Sequence, residues 1–393
     1  MSADLTLAER RWSLAAAICT IATFGVSIGL SAPLLSLLLN GRGIDPSLNG
    51  INAAAGFAGV ILGPFLAPRL LARVGFKHFL LVALPLITVL FLLLEPFRDI
   101  WVWFGLRFAT GLIGSAIFTA SEAWISTLAS QAHRGRIIGV YAAALSAGFG
   151  LGPLILSVVG MHGWAPFIAG AAIDAVAMLP LLAVPNTGFT MTAGAHPLAM
   201  IRRMKWIVLT VVLFAMYEAS VVALMPVWGA RVGLGTTMSA SLLSAIFFGS
   251  IVFQVPIGIL SDHFGRRFVL RLCGGAGLVG AALIPFLASS PMALIALLFL
   301  WGGLATGIYP MALSAMGDRF SGSELVNANA GLVIGYGTGA FIGPIVGGAA
   351  MDLWPPNGIL ACLALVFVVL LLTTLSHGMR APAKSDLAGA TRV

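Results

Sequence analysis

Gly258-Ile-Leu-Ser-Asp262-His-Phe-Gly265-Arg266-Arg267 and Pro68-Arg-Leu-Leu-Ala72-Arg73-Val-Gly75-Phe76-Lys77 are the stretches that decide the architecture. Each closes a long apolar run, turns on a glycine and carries basic residues, and Gly265 stands 190 positions after Gly75. A second pair keeps the same step. Gly148-Phe-Gly-Leu-Gly152-Pro153 is matched by Gly339-Ala-Phe-Ile-Gly343-Pro344, with Gly343 standing 191 positions after Gly152. Two independent motifs at one offset mark a chain made of two similar halves. Such internal duplication is typical of transporters, with the binding site where the repeats meet.

Outward from these stretches the chain is apolar. Of 393 residues, 60% are hydrophobic and 9% charged, whereas a soluble domain carries about 25% charged residues to cover its surface. Lipid is the solvent that fits. Each crossing needs about 20 mostly apolar residues, and twelve such runs are expected at 13–39, 48–72, 78–94, 101–127, 137–160, 165–184, 206–228, 237–260, 268–288, 292–316, 327–350 and 357–376. The expected fold is therefore an all-α membrane protein of about 12 transmembrane helices in two pseudo-symmetric six-helix bundles. Its parts are a first bundle over 1–184, a linker over 185–205 and a second bundle with a short tail over 206–393. The run from Ser13 reads as the first span, since it is too long for a cleavable signal and lacks a small-residue cleavage site.

Basic residues set the orientation. With the N-terminus in the cytoplasm, seventeen of the 21 Lys and Arg fall on the cytoplasmic side, three (Arg42, Arg98, Arg231) fall outside, and Arg107 lies within a span. An even number of spans, both termini cytoplasmic and a bacterial inner membrane are the expectation. The net charge of +8 is then a topology signal; spread over short loops without an aromatic platform, it gives no nucleic-acid surface. Cys19, Cys273 and Cys362 have no metal or disulfide spacing. No phosphate-binding loop is present, so ATP-driven pumping is not expected. None of the six histidines forms a recognisable metal cluster, so no cofactor is expected.

On these residues the chain resembles the major facilitator superfamily over essentially its whole length. Gly258 to Arg267 is similar to the family's loop between spans eight and nine. The equivalent after span two departs from it, with Ala72 where an acid is usual and Phe76 where a base is usual. Arg107-Phe-Ala-Thr-Gly111-Leu-Ile-Gly114 is similar to the span-four motif. Gly148 to Pro153 resembles the span-five motif of the drug–proton antiporter branch. The resemblance implies a cytoplasmic gate at Asp262, Gly265, Arg266 and Arg267, with positive-inside anchoring as the other reading. Asp262, at the end of its span, is placed to hold a neighbouring helix N-terminus through its positive dipole. Glycines four apart let helices approach closely, and Pro153 and Pro344 allow kinks. Gly148, Gly152, Pro153, Gly339, Gly343 and Pro344 are thus expected to form either a pliable seam between rocking halves or plain tight packing.

A charge at mid-membrane costs about 2.5–3.5 kcal/mol, so it marks a partner or a water-lined site. Arg107, Glu122 and Glu218 are the candidates for proton and substrate coupling; Arg107 has a second reading as a structural arginine holding carbonyls of a neighbouring helix, and Glu218 as a structural hydrogen-bonding acid. Arg107 and Glu122 share one helix face but lie about 22 Å apart along it. Glu122 has a second reading, an interfacial salt bridge to Arg134 or Arg136. Glu218 has no basic neighbour in sequence. Tyr217, Gln254 and Tyr309 are candidate cavity residues, with Tyr336 a further polar candidate. Asp174, on the span that the family places at the periphery, reads as an acid hydrogen-bonded to a neighbouring helix.

The function expected is secondary active transport by alternating access, without enzymatic chemistry. Its direction is expected to be proton-coupled efflux of small amphipathic or cationic compounds; a proton symporter importing a small organic anion is the alternative. The partners are the substrate, protons and membrane lipid, and the working unit is a monomer.

Overall fold

The computed structural model describes residues 6–128, 134–182, 197–320 and 322–376. Within them the backbone is helical, and the order of helices follows the apolar runs. The first half holds α1 (Leu7–Gly41), α2 (Pro46–Val74), α3 (Phe76–Leu92), α4 (Ile100–Leu128), α5 (Arg134–Val159) and α6 (Ala165–Leu182). A short α7 (Pro197–Arg203) leads into α8 (Lys205–Arg231), α9 (Thr236–Phe264), α10 (Arg266–Leu283), α11 (Pro291–Ala305), α12 (Ile308–Gly317), α13 (Gly322–Leu353) and α14 (Gly358–Ser376). Among the described residues, nine helical stretches are long and apolar enough to cross a membrane.

Local chemistry sets the ends. Thr6 and Glu9 form a reciprocal capping box, Glu9 N–H to Thr6 Oγ1 at 3.2 Å and Thr6 N–H to Glu9 Oε2 at 2.8 Å. This satisfies helix-end donors and starts α1 at Leu7, six residues before the start expected from hydropathy. The tenth span is also not one helix. It breaks between α11 and α12, where the Thr306 hydroxyl donates to Gly302 O (2.7 Å) and Gly307 leads into the next helix. Gly75 and Gly265 join α2 to α3 and α9 to α10 with φ of 75° and 82°, a left-handed turn that only glycine adopts without strain. The two opening motifs therefore fold alike.

The repeat extends to packing. Gly59 of α2 meets α4 at Phe108 O and Leu112 N, and Gly249 of α9 meets α11 at Phe299 O and Gly303 N, each contact shifted by 190 or 191 positions. Each half has its own apolar interior. Phe76, Ile87, Ile117 and Trp124 pack in the first, and Trp228, Leu298, Trp301 and Phe367 in the second.

Among the described residues, the halves meet toward one side. The loops after α1, α3, α5, α8, α10 and α13 form what is termed here the far face; the α2–α3 and α9–α10 turns lie at the near face. Pro46 meets Gly348, and Gly50 meets Pro344. Phe149 of α5 stacks on Phe247 of α9 at 5.1 Å. Deeper, Phe57 of α2 packs on Ala215, Ala219 and Ala340, and Ile61 touches Gly337. Ile61 is fifteen residues into α2, or about 22 Å from the far face, so these contacts run down to mid-depth.

Candidate functional site

Where this contact ends, α8 and α13 bring Glu218 and Tyr336 together. Glu218 lies thirteen residues into α8 and Tyr336 fourteen into α13, about 20 and 21 Å from the near face. The Tyr336 hydroxyl donates to Glu218 Oε2 at 2.7 Å. Tyr336 stands edge-on to Tyr309 of α12 (6.1 Å), and Tyr309 packs on Phe214 of α8 (5.5 Å). Tyr336 also rests on the same alanine patch as Phe57 of the other half. The site is thus a carboxylate on an aromatic shelf at the junction of the halves. Among the described residues, Glu218 has no cationic partner.

This polar group breaks the repeat that frames it. At a step of 190 or 191, Glu218 corresponds to Ile28 and Tyr336 to Leu145. Arg107 breaks it in the other direction. Its Nη1 donates to Asn52 Oδ1 of α2 at 3.0 Å, about 10 Å below the far face. The second half places the fully buried Leu298 and Leu242 at the matching positions. Arg107 and Glu218 therefore occupy different halves and different depths.

The other expected residues fall as follows. Tyr217 is corrected: it is 1% exposed and sits inside the second half between Trp301 (5.2 Å, edge-on) and Phe367 (5.1 Å). One residue is 100° around a helix, so facing Glu218 to the junction turns Tyr217 into the core. Gln254 is half-buried on α9 and makes no hydrogen bond among the described residues. Glu122 lies on α4, with its side chain outside the described residues. Asp174 is buried among α1, α3 and α6 and meets the Thr88 hydroxyl at 3.1 Å and Ser27.

At the near face, Arg266 donates to Ser314 O (2.9 Å) and Asp318 Oδ1 (2.7 Å), closing the end of α12 within its own half. Arg267 follows it at the start of α10. Asp262 is exposed and, among the described residues, caps no neighbouring helix, so the expected hold on a helix N-terminus is not made in this arrangement.

Of the two expected readings, the four motif glycines follow tight packing inside each half, while Pro344 reaches Gly50 of the other half. A Cβ on Gly148 or Gly152 would enter the α1 backbone at Val26 and Leu30. A Cβ on Gly25 or Gly29 of α1 would come within 2.6 Å of Leu145 O and Phe149 O of α5. Gly339 and Gly343 press likewise on α8 at Val212 and Met216. Pro153 and Pro344 lie inside these same helices. The faces of α5 and α13 that reach the other half are different ones, at Gly150 against Phe248 and at Pro344 against Gly50.

A sequence model of the Major Facilitator Superfamily matches residues 16–248 and again 236–391. The chain belongs to the major facilitator superfamily. Major facilitator relatives share its length. An uncharacterized MFS-type transporter of Bacillus subtilis, YfkF, is 27% identical over 85% of this chain and 88% of its own. One from Yersinia enterocolitica is 24% identical over 90% and 94%. Among solved structures, the nucleoside transporter NupG superposes with TM-scores of 0.75 and 0.73 in two crystal structures, at 15% and 13% identity, over 93% and 94% of this chain and 99% and 98% of its own. A bacterial homolog of the human lysosomal transporter Spinster, inward-facing and unoccupied, gives 0.69 at 14% identity over 94% and 96%. The fold is thus that of major facilitator transporters, and the chain is a multi-pass membrane transporter of a small molecule.

Proposed function

We propose that the protein is a proton-coupled exporter of small amphipathic or cationic compounds and that Glu218 exchanges a proton for the substrate's charge. The observation that carries this reading is a mid-depth carboxylate held by one tyrosine hydroxyl, with no cation beside it among the described residues. An ionised acid there is costly. A proton or a bound cation each removes the cost, and one site cannot hold both. Competition for one carboxylate is sufficient for exchange. The shelf of Tyr336, Tyr309 and Phe214 offers π faces that attract a cation and tolerate varied apolar groups. Arg107, held by Asn52, supports coupling from the other half.

The basic-residue asymmetry supports a cytoplasmic near face in a bacterial inner membrane, with both termini inside. The arrangement described is then open toward the cytoplasm. Bundles over 1–184 and 206–393, joined by 185–205, supply both halves of the site, so one chain is the transport unit. Gln254 completes the cavity wall, Glu122 serves as a second coupling acid, and the Asp262, Gly265, Arg266 and Arg267 turn forms the cytoplasmic gate.

The alternative, proton symport of a small organic anion, rests on Arg107, whose partner Asn52 is neutral. Proteoliposomes with an internal pH dye and a panel of cationic, neutral and anionic compounds separate the two. Antiport moves protons against the compound, and symport moves them with it. Glu218→Gln, which keeps the shape and removes the charge, should abolish compound-driven proton movement. Full proton movement in that variant would remove Glu218 from the mechanism.

A further inference from the structure

The start of α2 is capped from the other half of the molecule. Its chain begins Asp45-Pro46-Ser47, and Asp45, in the N-cap position, makes no side-chain cap hydrogen bond. Pro46 has no N–H, so Ser47 presents the first free donor of the helix. Asp352, one residue from the end of α13, accepts both the Ser47 N–H (2.9 Å) and the Ser47 hydroxyl. The carboxylate also faces the positive end of the α2 dipole. Close packing supports this contact, since Gly348 and Gly50 leave no room for a Cβ against the Pro46 and Pro344 carbonyls. A second bridge lies on the same face, Arg231 Nε to Asn40 Oδ1 at 3.1 Å.

The repeat shows that this cap is not required by the scaffold. The matching junction joins the end of α5 to the start of α9. There Met161 takes the place of Asp352 and Thr237 that of Ser47, and α9 has no side-chain cap. One of two equivalent seams carries a charged latch.

We infer that Asp352 is a gating residue of the far face: it holds α2 against α13 while the near face is open, and must let go for the far face to open. It acts through the helix and is a positioning residue. Removing the carboxylate returns the Ser47 donors to water and leaves the rest of each half intact, so the population should shift toward a far-face-open state.

The test uses the full chain in nanodiscs, with native cysteines replaced by alanine and spin labels at Phe97→Cys and Trp354→Cys, exposed far-face positions in different halves. Asp352→Ala should raise the ratio of long to short label distances about tenfold, as expected for losing a hydrogen-bonded charge. Ser47→Ala, which keeps the N–H, should raise it less. Should Asp352→Ala fail to fold, Asp352→Leu, which has a similar shape and no acceptor, carries the same measurement. An unchanged ratio in a folded variant would overturn the assignment, as would a fall in melting temperature with the ratio unaltered. No substrate or proton gradient is needed, so the outcome is separable from the role of Glu218.

Discussion

Tyr217 and Glu218 are adjacent in sequence and face different surroundings, and the contrast is testable. Tyr217 is buried among rings with a hydroxyl that has no hydrogen-bond partner among the described residues. Deleting an unsatisfied buried hydroxyl removes a desolvation cost, so Tyr217→Phe should leave transport intact and raise thermal stability by about 1 kcal/mol. Tyr336→Phe removes the donor to Glu218 and should slow transport by about tenfold, the value of a hydrogen bond to a charged group. Paired flux and melting curves check both; equal flux in the two variants would dissolve the distinction. Glu218 was legible in sequence because a mid-span acid stands out in any apolar run. Tyr336 was legible as polar, but its pairing with Glu218 was not, since 118 residues separate the two. Asn52 and Asp352 were missed for a related reason. Each looks ordinary beside its own turn, and only the opposing helix gives it work.

The helices were legible to within a few residues, because hydropathy reports the bilayer directly. What hydropathy cannot report is which helix a glycine faces. The motifs at Gly148 and Gly339 announced close packing, but the partner turned out to be α1 and α8 of the same half rather than the opposite bundle. The capping box at Thr6 and the break at Thr306-Gly307 escaped for a similar reason, since both rest on hydrogen bonds that leave the apolar count unchanged. Gly152→Ala should therefore force α5 off α1 and cost about 1–3 kcal/mol, as overpacking does. Gly258→Ala, in a helix where an added Cβ meets nothing within 4 Å, should be neutral or slightly stabilising. Melting in detergent measures both, and equal losses would mean that the α1–α5 seam is looser than described.

At the scale of the whole molecule, these seams dictate how it moves. Within each half, glycines leave no slack between α1 and α5 or between α8 and α13, and close-packed interiors do not deform continuously. Between halves, the glycine contacts among the described residues run from the far face down to Ile61 and Gly337. A body built this way is expected to pivot about mid-depth, beside Glu218, so the exchange proposed for that carboxylate would act where the halves hinge. Spin labels can follow the motion when substrate or acid is added. The far-face pair Phe97 and Trp354 should separate. The pair Val74 and Phe264, at near-face helix ends in different halves, should approach. The pair Phe264 and Trp354, both in the second half, should hold its distance. If that last distance changes as much as the other two, the halves are not rigid, and the glycine seams rather than the junction would be where the transporter bends.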